Sequence, residues 1–435
     1  MNARTMLKNN KPLRRVTFAI GANQLSDSMS YITIPLLVVF LTGQPEAASI
    51  LLAIVSIVAM IVDIFAGTMV DRIKPHRSLA ISCAGQAIFW ALIALCIAGN
   101  VSSLWILGII LCAAAVISRF DYPSEQAIIA RVVKTEDLGY AAGMGETRFS
   151  AANLLGGPIA GLLAAVSMGV LAWTHSLINL AALVISPRQK DIRAAQKELG
   201  TLGTDSVDSE PITFIEDLKI GFRYVFKDKV LVAIAFVACF ANFGATGMPL
   251  SFIYYYNQEG IPGWQLGVFA SLFGAGVLVG SFFVGKLTER FTLGTLGVIA
   301  LGTMVLSYSA TVISAQNFWA TSAVLFIAGI PLPAFNSAII SYINASTPVE
   351  YVGRVHSAQG IPNMILTPVA TLLAGFLYVA WGIENTALFY ASFMVLAFVL
   401  MVSQRGLRTL PKLADMSAGE SEGQPEEEAA EAVEA

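Results

Sequence analysis

The sequence predicts an all-α membrane protein whose twelve transmembrane helices form two pseudo-symmetric six-helix bundles. Charged residues make up 13% of the 435 residues, whereas a soluble domain contains about 25%. Three stretches, residues 78–118, 149–187 and 291–349, contain no Asp, Glu, Lys or Arg. Each is long enough for two crossings of about 20 residues. Because backbone groups inside a bilayer need partners within their own element, these segments are expected to be helices.

Apolar length and turn signals place the twelve spans at starts near residues 15, 46, 77, 102, 138, 168, 230, 264, 293, 318, 355 and 384. Every second connection contains Lys or Arg, and the connections between them contain neither. Cationic connections stay in the cytoplasm, so both termini are predicted to be cytoplasmic. No cleavable signal peptide is recognised. The chain is therefore expected to be a multi-pass protein of the cell (inner or plasma) membrane.

The two halves of the chain match each other at an offset of roughly 210 to 218 residues, which indicates internal duplication. Matching segments include Pro35 with Pro249, Pro123 with Pro333, and GPIAGLL from Gly157 with TPVATLL from Thr367. The predicted division is a cytoplasmic N-terminus at 1–13, a bundle at 14–186, a cytoplasmic central loop at 187–229, a second bundle at 230–404 and an acidic tail at 405–435.

The central loop contains FIEDLKIGFRYVF, which places Ile215, Leu218, Phe222 and Val225 on one helical face and predicts an interfacial helix on the inner leaflet. The last twenty residues include seven Glu and no Lys or Arg, so they are expected to be a disordered, solvated tail, or else a regulatory or partner-binding one. The four scattered cysteines are interpreted as packing residues. No metal site and no cofactor are predicted.

Ionisable residues inside the membrane are functional candidates, because each costs about 2.5–3.5 kcal/mol at the helix centre. The first half contains five polar or charged candidates for proton coupling or a substrate cavity: Asn23, Asp27, Arg119, Asp121 and Glu125. We expect Asp27 to be the main protonation switch, with Arg119 stabilising its ionised form or positioning Asp121. The alternative is a structural Asp27–Arg119 ion pair. Glu125 is expected to transfer protons or to pair with Arg72 or Arg77.

Polar residues in the spans of the second half are neutral, so any proton coupling is expected to lie in the first half. The candidates for its part of the cavity are Asn242, Asn336, Gln359 and Asn363. Three consecutive tyrosines, Tyr254–Tyr256, are interpreted as an outer aromatic belt.

The stretch GTMVDRIKPHRS, which begins at Gly67 and includes Asp71, Arg72 and Arg77, resembles the signature G-x-x-x-D-R-x-G-R-R of the major facilitator superfamily. A weaker copy, GKLTER, contains Gly285, Glu289 and Arg290 and lies between spans eight and nine. The resemblance implies that these seven residues form a cytoplasmic gate. Lys74-Pro75-His76 departs from the family pattern, which has glycine and then arginine there.

Within that superfamily the chain is most similar to the bacterial drug and macrolide efflux branch. The similarity rests on RFDYPSEQAIIARVVKTEDLGYAAG and on the helix-five motif GGPIAG with Gly157, Pro158 and Gly161. It implies a secondary active transporter with alternating access, not an enzyme, that exports amphipathic, macrolide-like drugs as a drug:proton antiporter. Its expected partners are a small-molecule substrate, protons and the lipid bilayer, without nucleic acid, and it is expected to work as a monomer.

The alternative is a dedicated exporter or importer of one metabolite, such as a siderophore or small nutrient. A non-transporting sensor or scaffold is a third possibility, which the gate signature disfavours. An ATP-driven pump is disfavoured because the sequence contains no G-x-x-x-x-G-K-[ST] loop.

Overall fold

The computed structural model describes residue 7 and residues 10–101, 103–134, 137–199 and 214–412, apart from some side chains within the helices. The helices of the first half are α1 (Lys11–Thr42), α2 (Pro45–Ile73), α3 (Pro75–Ala98), α4 (Leu104–Ser118), α5 (Asp121–Val132), α6 (Leu138–Val166), α7 (Met168–Ile185) and α8 (Gln189–Leu199). Those that follow are α9 (Phe214–Lys227), α10 (Lys229–Gln258), α11 (Gly263–Ser281), α12 (Val284–Arg290), α13 (Leu293–Ser314), α14 (Phe318–Gly329), α15 (Leu332–Ser346), α16 (Val349–Ser403) and α17 (Arg405–Arg408). The described residues contain no strand, which confirms the all-α prediction.

Eleven helical segments among the described residues are long and apolar enough to cross a membrane. The last helix, α16, contains 55 residues and is interrupted at Gly382, whose φ of 75° and ψ of 171° are not helical. A continuous helix of that length would extend about 80 Å, far beyond a hydrocarbon core of about 30 Å. It therefore comprises spans eleven and twelve, and the number of spans agrees with the predicted twelve. Gly382 is suited to this turn because glycine adopts positive φ without a steric penalty.

Spans four and ten are each built from two helices, and the breaks lie at equivalent positions of the repeat. Span four breaks at Arg119–Phe120 between α4 and α5, and span ten breaks at Ile330–Pro331 between α14 and α15. Proline has no N–H and its ring clashes with the carbonyl four residues earlier. Pro123 and Pro333 therefore disrupt the helix near residues 119 and 329, which lie at the start of the first break and directly before the second. The shared break is a structural consequence of the duplication.

The described residues form two compact units, which do not coincide with the two sequence halves. The first contains Met1–Pro211 together with Thr246–Gly274 and Met364–Thr386. The second contains Ile212–Ala245, Ala275–Asn363 and Ala387–Ala435. The added parts of the first unit are the segments around the two connections, near Gly260 and Trp381, that lack Lys and Arg. These parts of spans seven, eight and eleven pack with the first six spans.

Helix α8 packs against α1 and α5 in the first unit. The Asp191 carboxylate of this helix pairs with Arg15 Nη1 at 2.6 Å and with Lys11 Nζ at 3.2 Å. Burial opposes the ionisation of Asp191, but the hydrogen bond from Lys11 and the charges of Arg15 and Lys11 outweigh it and lower the pKa of this carboxyl. Ile192 is buried in the same core as Leu13 and Val132. Polar and apolar contacts together therefore attach α8 to the beginning of α1.

In the second unit, α9 packs against the end of α15 and the beginning of α16. Gly221 lies so close to the carbonyl of Arg354 that a side chain would not fit between them. Tyr224 donates a hydrogen bond from its hydroxyl to the carbonyl of Ser346 at 2.9 Å, and Val225 is buried. Helix α9 therefore contacts the ends of spans ten and eleven, and Val225 of the face predicted to lie on the membrane is buried in the protein. The side chains of Ile215 and Leu218 lie outside the described residues.

The connection between α2 and α3 is a single residue, Lys74, with a φ of 77° and a ψ of 122°. This is a region of backbone space that a residue with a Cβ rarely adopts, and it costs about 1–3 kcal/mol. Lys74 occupies the position at which the resembling signature has glycine. A positive φ therefore occurs at the signature's glycine position, and glycine would adopt it without a steric penalty.

We expect Lys74→Gly to raise the stability of the protein by about 1 kcal/mol, because the relieved strain exceeds the roughly 0.5–1 kcal/mol entropic cost of glycine. Thermal denaturation of the detergent-solubilised protein measures the change. Lys74→Ala is the matched control, since it removes the charge but keeps the Cβ and hence the strain. Equal melting temperatures for the two variants would contradict this explanation.

Candidate functional site: the polar interior of the first six spans

Asp121 is the first residue of α5, directly after the break in span four, and its side chain is 7% exposed. Asn23 Nδ2 of α1 and Gln86 Nε2 of α3 both donate to Asp121 Oδ2, at 3.0 and 2.9 Å. Asp121 Oδ1 has no hydrogen-bond partner among the described residues. Three helices therefore meet at one carboxyl group, and only one of its two oxygens is satisfied.

A second carboxyl group, Glu125, lies one turn further along α5 and is paired with Arg148 of α6. Arg148 Nη2 lies 2.8 Å from Glu125 Oε1 and 2.9 Å from Oε2, and both side chains are largely buried. Arg148 Nε also donates to Gln24 Oε1 of α1 at 2.8 Å. Glu125 thus finds its partner in span five, and not in the expected Arg77, while the side chain of Arg72 lies outside the described part.

Arg119 lies in the break of span four and pairs with a residue of α2. Its Nη1 is 3.8 Å from Asp63 Oδ2, and its Nη2 donates to Ser118 Oγ at 3.1 Å. Asp27 is exposed on α1. Among the described residues, the ion pair of Arg119 is made with Asp63. The two roles expected for Asp27 and Arg119, a protonation switch or a structural ion pair, stay predictions.

His175 of α7 is fully buried, and its contacts are those of a residue that holds helices together. Its ring stacks on Trp90 with centroids 3.8 Å apart and an interplanar angle of 9°. Thr33 donates its hydroxyl hydrogen to the Met29 carbonyl, so it accepts from His175 Nε2–H at 3.0 Å. The Nδ1 atom then accepts from Ser26 Oγ at 2.8 Å. This pattern assigns a neutral imidazole that holds α1 and α7 together.

The four neutral candidates of the second half have different surroundings. Gln359 is buried and donates from Nε2 to the carbonyl of Leu231 at 2.8 Å, which is a contact between two helices. Asn242 and Asn336 are exposed. The side chain of Asn363 lies outside the described residues.

The residues of the expected gate are placed only in part. Gly67, Asp71 and Arg72 belong to α2, but their side-chain surroundings lie outside the described part, and Arg77 is exposed at the start of α3. In the second copy, Gly285, Glu289 and Arg290 are exposed on the short helix α12. The gate therefore stays a prediction.

The helix-five motif brings two helix backbones into contact within the first unit. A Cβ added to Gly157 would lie 2.6 Å from the carbonyl oxygen of Gly267, and one added to Gly161 would overlap the carbonyl oxygen of Gly263. Additions to Gly267 and Gly263 would in turn meet the backbone of α6. Small residues permit this approach of membrane helices, which is supported by dispersion and Cα–H···O contacts.

An equivalent contact joins spans two and eleven. Ser49 Oγ of α2 accepts a hydrogen bond from the Gly375 N–H at 2.9 Å and donates to Tyr254 Oη at 3.2 Å. The repeat relates Ser49 to Gly263 and Gly375 to Ala165, and a Cβ on Gly263 would lie 3.8 Å from the Ala165 nitrogen. Tyr254 and Tyr256 are 1% and 2% exposed, so the interpretation of these two as an outer aromatic belt is wrong.

Sequence reasoning missed three residues of this interior: Gln86, Arg148 and Ser49. Gln86 lies within the charge-free stretch 78–118, and a lone amide in such a span is a signal for a buried partner. Arg148 immediately precedes the charge-free stretch 149–187, and a charge at the edge of such a stretch does not by itself indicate a buried partner. Ser49 carries no comparable signal, because a serine in a membrane helix commonly bonds to its own backbone.

The profile of a family described as the Major Facilitator Superfamily matches residues 16–312 and 240–415. The uncharacterized MFS-type transporter YkuC of Bacillus subtilis is 22% identical over 90% of this chain and 91% of its own length. Macrolide efflux protein A of Streptococcus pyogenes is 21% identical over 85% of this chain and 90% of its own length.

Two solved structures are similar in fold. A bacterial homologue of the iron transporter ferroportin in the inward-facing state has a TM-score of 0.66 at 14% identity, covering 90% of this chain and 98% of its own. A D-xylose–proton symporter has a TM-score of 0.64 at 14% identity, covering 92% and 98%. At these identities the likeness concerns the arrangement of the helices and carries no information on cargo.

Proposed function

The chain belongs to the major facilitator superfamily and is a multi-pass membrane transporter, and from this premise we propose that it exports amphipathic, macrolide-like drugs in exchange for protons. The observation that carries the proposal is the distribution of membrane carboxyl groups. Asp27, Asp121 and Glu125 all lie in spans one and four, whereas the membrane interior of the second half offers neutral polar groups. A carboxyl group that can be neutralised is the means by which a transporter couples to protons.

The similarity to macrolide efflux protein A, which extends over most of both chains, supports the cargo class. A neutral second half suits a large, mainly apolar compound, because such a ligand is bound by apolar and aromatic side chains with a few polar contacts. Transport would proceed by alternating access. The protein would act as a monomer in the cell (inner or plasma) membrane, with both termini in the cytoplasm.

In this proposal the contacts that close the transporter are charged on one side of the membrane and uncharged on the other. On the predicted cytoplasmic side, Asp71, Arg72 and Arg77 would form a charged latch, as the family resemblance implies. On the opposite side, the contacts between α6 and α11 and around Ser49 would separate when the transporter opens outward. Glycine backbone contacts suit repeated opening and closing, because they leave no buried charge without a partner.

The test is a resistance assay in an efflux-deficient bacterium that expresses the full chain, with and without a protonophore. We expect the minimal inhibitory concentration of erythromycin to rise at least fourfold and the protonophore to abolish the gain. The variant Asp27→Asn is expected to lose the gain as well. Unchanged sensitivity to erythromycin and to other drug classes would favour a dedicated metabolite transporter instead.

A further inference from the structure

The two oxygens of the Asp121 carboxyl group have unequal surroundings. Oδ2 accepts from both amides, Asn23 Nδ2 and Gln86 Nε2, and Oδ1 accepts from none. The Ser82 hydroxyl of α3 donates its hydrogen to the carbonyl of Ile117 at 2.8 Å. A neutral carboxylic acid has this asymmetry, with a carbonyl oxygen that accepts and a hydroxyl oxygen that holds the proton. An ionised carboxylate would leave half of its charge unsolvated at Oδ1.

Two arginines on the helices around Asp121 are paired with other carboxyl groups. Arg119 pairs with Asp63, and Arg148 pairs with Glu125. The titratable and charged side chains that the structure describes on span four and on the elements packed against α5 are Lys11, Arg14, Arg15, Asp27, Tyr31, Glu46, Asp63, His76, Arg77, Cys83, Cys96, Cys112, Arg119, Tyr122, Glu125, Arg131, Arg148, Lys190, Asp191, Arg193 and Lys197. Among the described residues, none of the arginines makes an ion pair with Asp121.

We infer that Asp121, and not Asp27, binds the coupling proton, which it holds on Oδ1 while Oδ2 accepts from Asn23 and Gln86. This inference rests on the proposed proton-coupled export and identifies its proton site. Asp27 is the exposed carboxyl group that exchanges protons with it: the proton leaves Asp27, binds Oδ1 of Asp121, and the negative charge moves to Asp27. Asn23, which lies one turn before Asp27 on α1, donates to Asp121, so the two carboxyl groups belong to neighbouring parts of contacting helices.

The amide of Asn23 connects this proton to the movement of helix α1. Asn23 lies one turn before Asp27 on α1 and is 1% exposed. When Asp121 loses its proton, the carboxylate attracts the two amide donors more strongly, because hydrogen bonds to charged acceptors are about twice as strong as neutral ones. The position of α1 relative to α5 therefore responds to the proton. Gln86 transmits the same change to α3.

The first experiment is infrared difference spectroscopy of the purified full chain in lipid, which measures the carboxylic C=O stretch. We expect a band from a buried protonated acid that shifts in heavy water, persists in Asp27→Asn and is absent from Asp121→Asn. Asparagine keeps the shape of the side chain and an oxygen for the two amide donors. Thermal denaturation checks that the variant remains folded. A band that is unchanged in Asp121→Asn would overturn the inference.

The second experiment uses radiolabelled erythromycin in proteoliposomes. Asp121→Asn is expected to lose proton-driven accumulation of erythromycin at least tenfold. Proton-driven accumulation at the wild-type level would overturn the inference and leave the proposed export intact. A wild-type protein that shows the Asp121 band but transports no erythromycin would overturn the proposed cargo and support the proton site.

Discussion

Replacing Gly267 with valine is expected to lower transport of erythromycin at least tenfold, because the new side chain would occupy the position of the Gly157 backbone. A Cβ at Gly267 would overlap the Gly157 carbonyl oxygen and lie 3.1 Å from the Pro158 Cα. Backbone atoms of a helix cannot move aside as a flexible side chain can. Since α6 and α11 could no longer touch, the first unit would lose the contact that holds this part of spans five and eight together.

The same helix provides the control. Gly274 also lies on α11, but no atom lies within 4 Å of a Cβ added there, so Gly274→Val should transport normally. Hydrogen–deuterium exchange offers a readout without substrate: protection in segments 157–166 and 263–271 should fall in Gly267→Val alone. If the two valine variants behave alike in both assays, the α6–α11 contact has no role in the transport cycle.

Removing Arg148 is expected to produce the largest loss of stability among the charged residues of the first unit. Arg148→Met leaves Glu125, whose side chain is only 3% exposed, without a cationic partner. Removing one partner of a buried ion pair typically costs about 3–5 kcal/mol, because the remaining charge is uncompensated. The Gln24 amide oxygen loses its donor in the same variant. Thermal denaturation in detergent measures the effect.

A double variant distinguishes the loss of the Arg148–Glu125 ion pair from the loss of packing by the Arg148 side chain. Arg148→Met combined with Glu125→Gln removes both charges, and it is expected to recover more than half of the stability lost by Arg148→Met. Arg193→Met on the exposed side of α8 serves as the matched single change and should have little effect. A double variant that is no more stable than Arg148→Met would show that the guanidinium acts through packing alone.

The architecture could be predicted because it depends on properties that are local in sequence. The bilayer admits only long apolar helices, so the charge-free stretches are sufficient to locate the spans. Duplication is also visible in the sequence, and it extends to the break before Pro123 and Pro333. The break itself was not predicted, because a proline inside a span is compatible with a kink as well as with two separate helices.

The class of membrane protein, the spans, the family resemblance and the set of candidate ionisable residues follow from the sequence. The partners of these residues follow only from the packing of the helices: Glu125 with Arg148, Arg119 with Asp63, and Asp121 with Asn23 and Gln86. The physical reason is that an ionisable residue in a membrane span is costly whatever surrounds it, so it can be recognised from the sequence alone. The partner that offsets this cost lies on a helix far away in sequence, and the packing of the helices decides which residue that is.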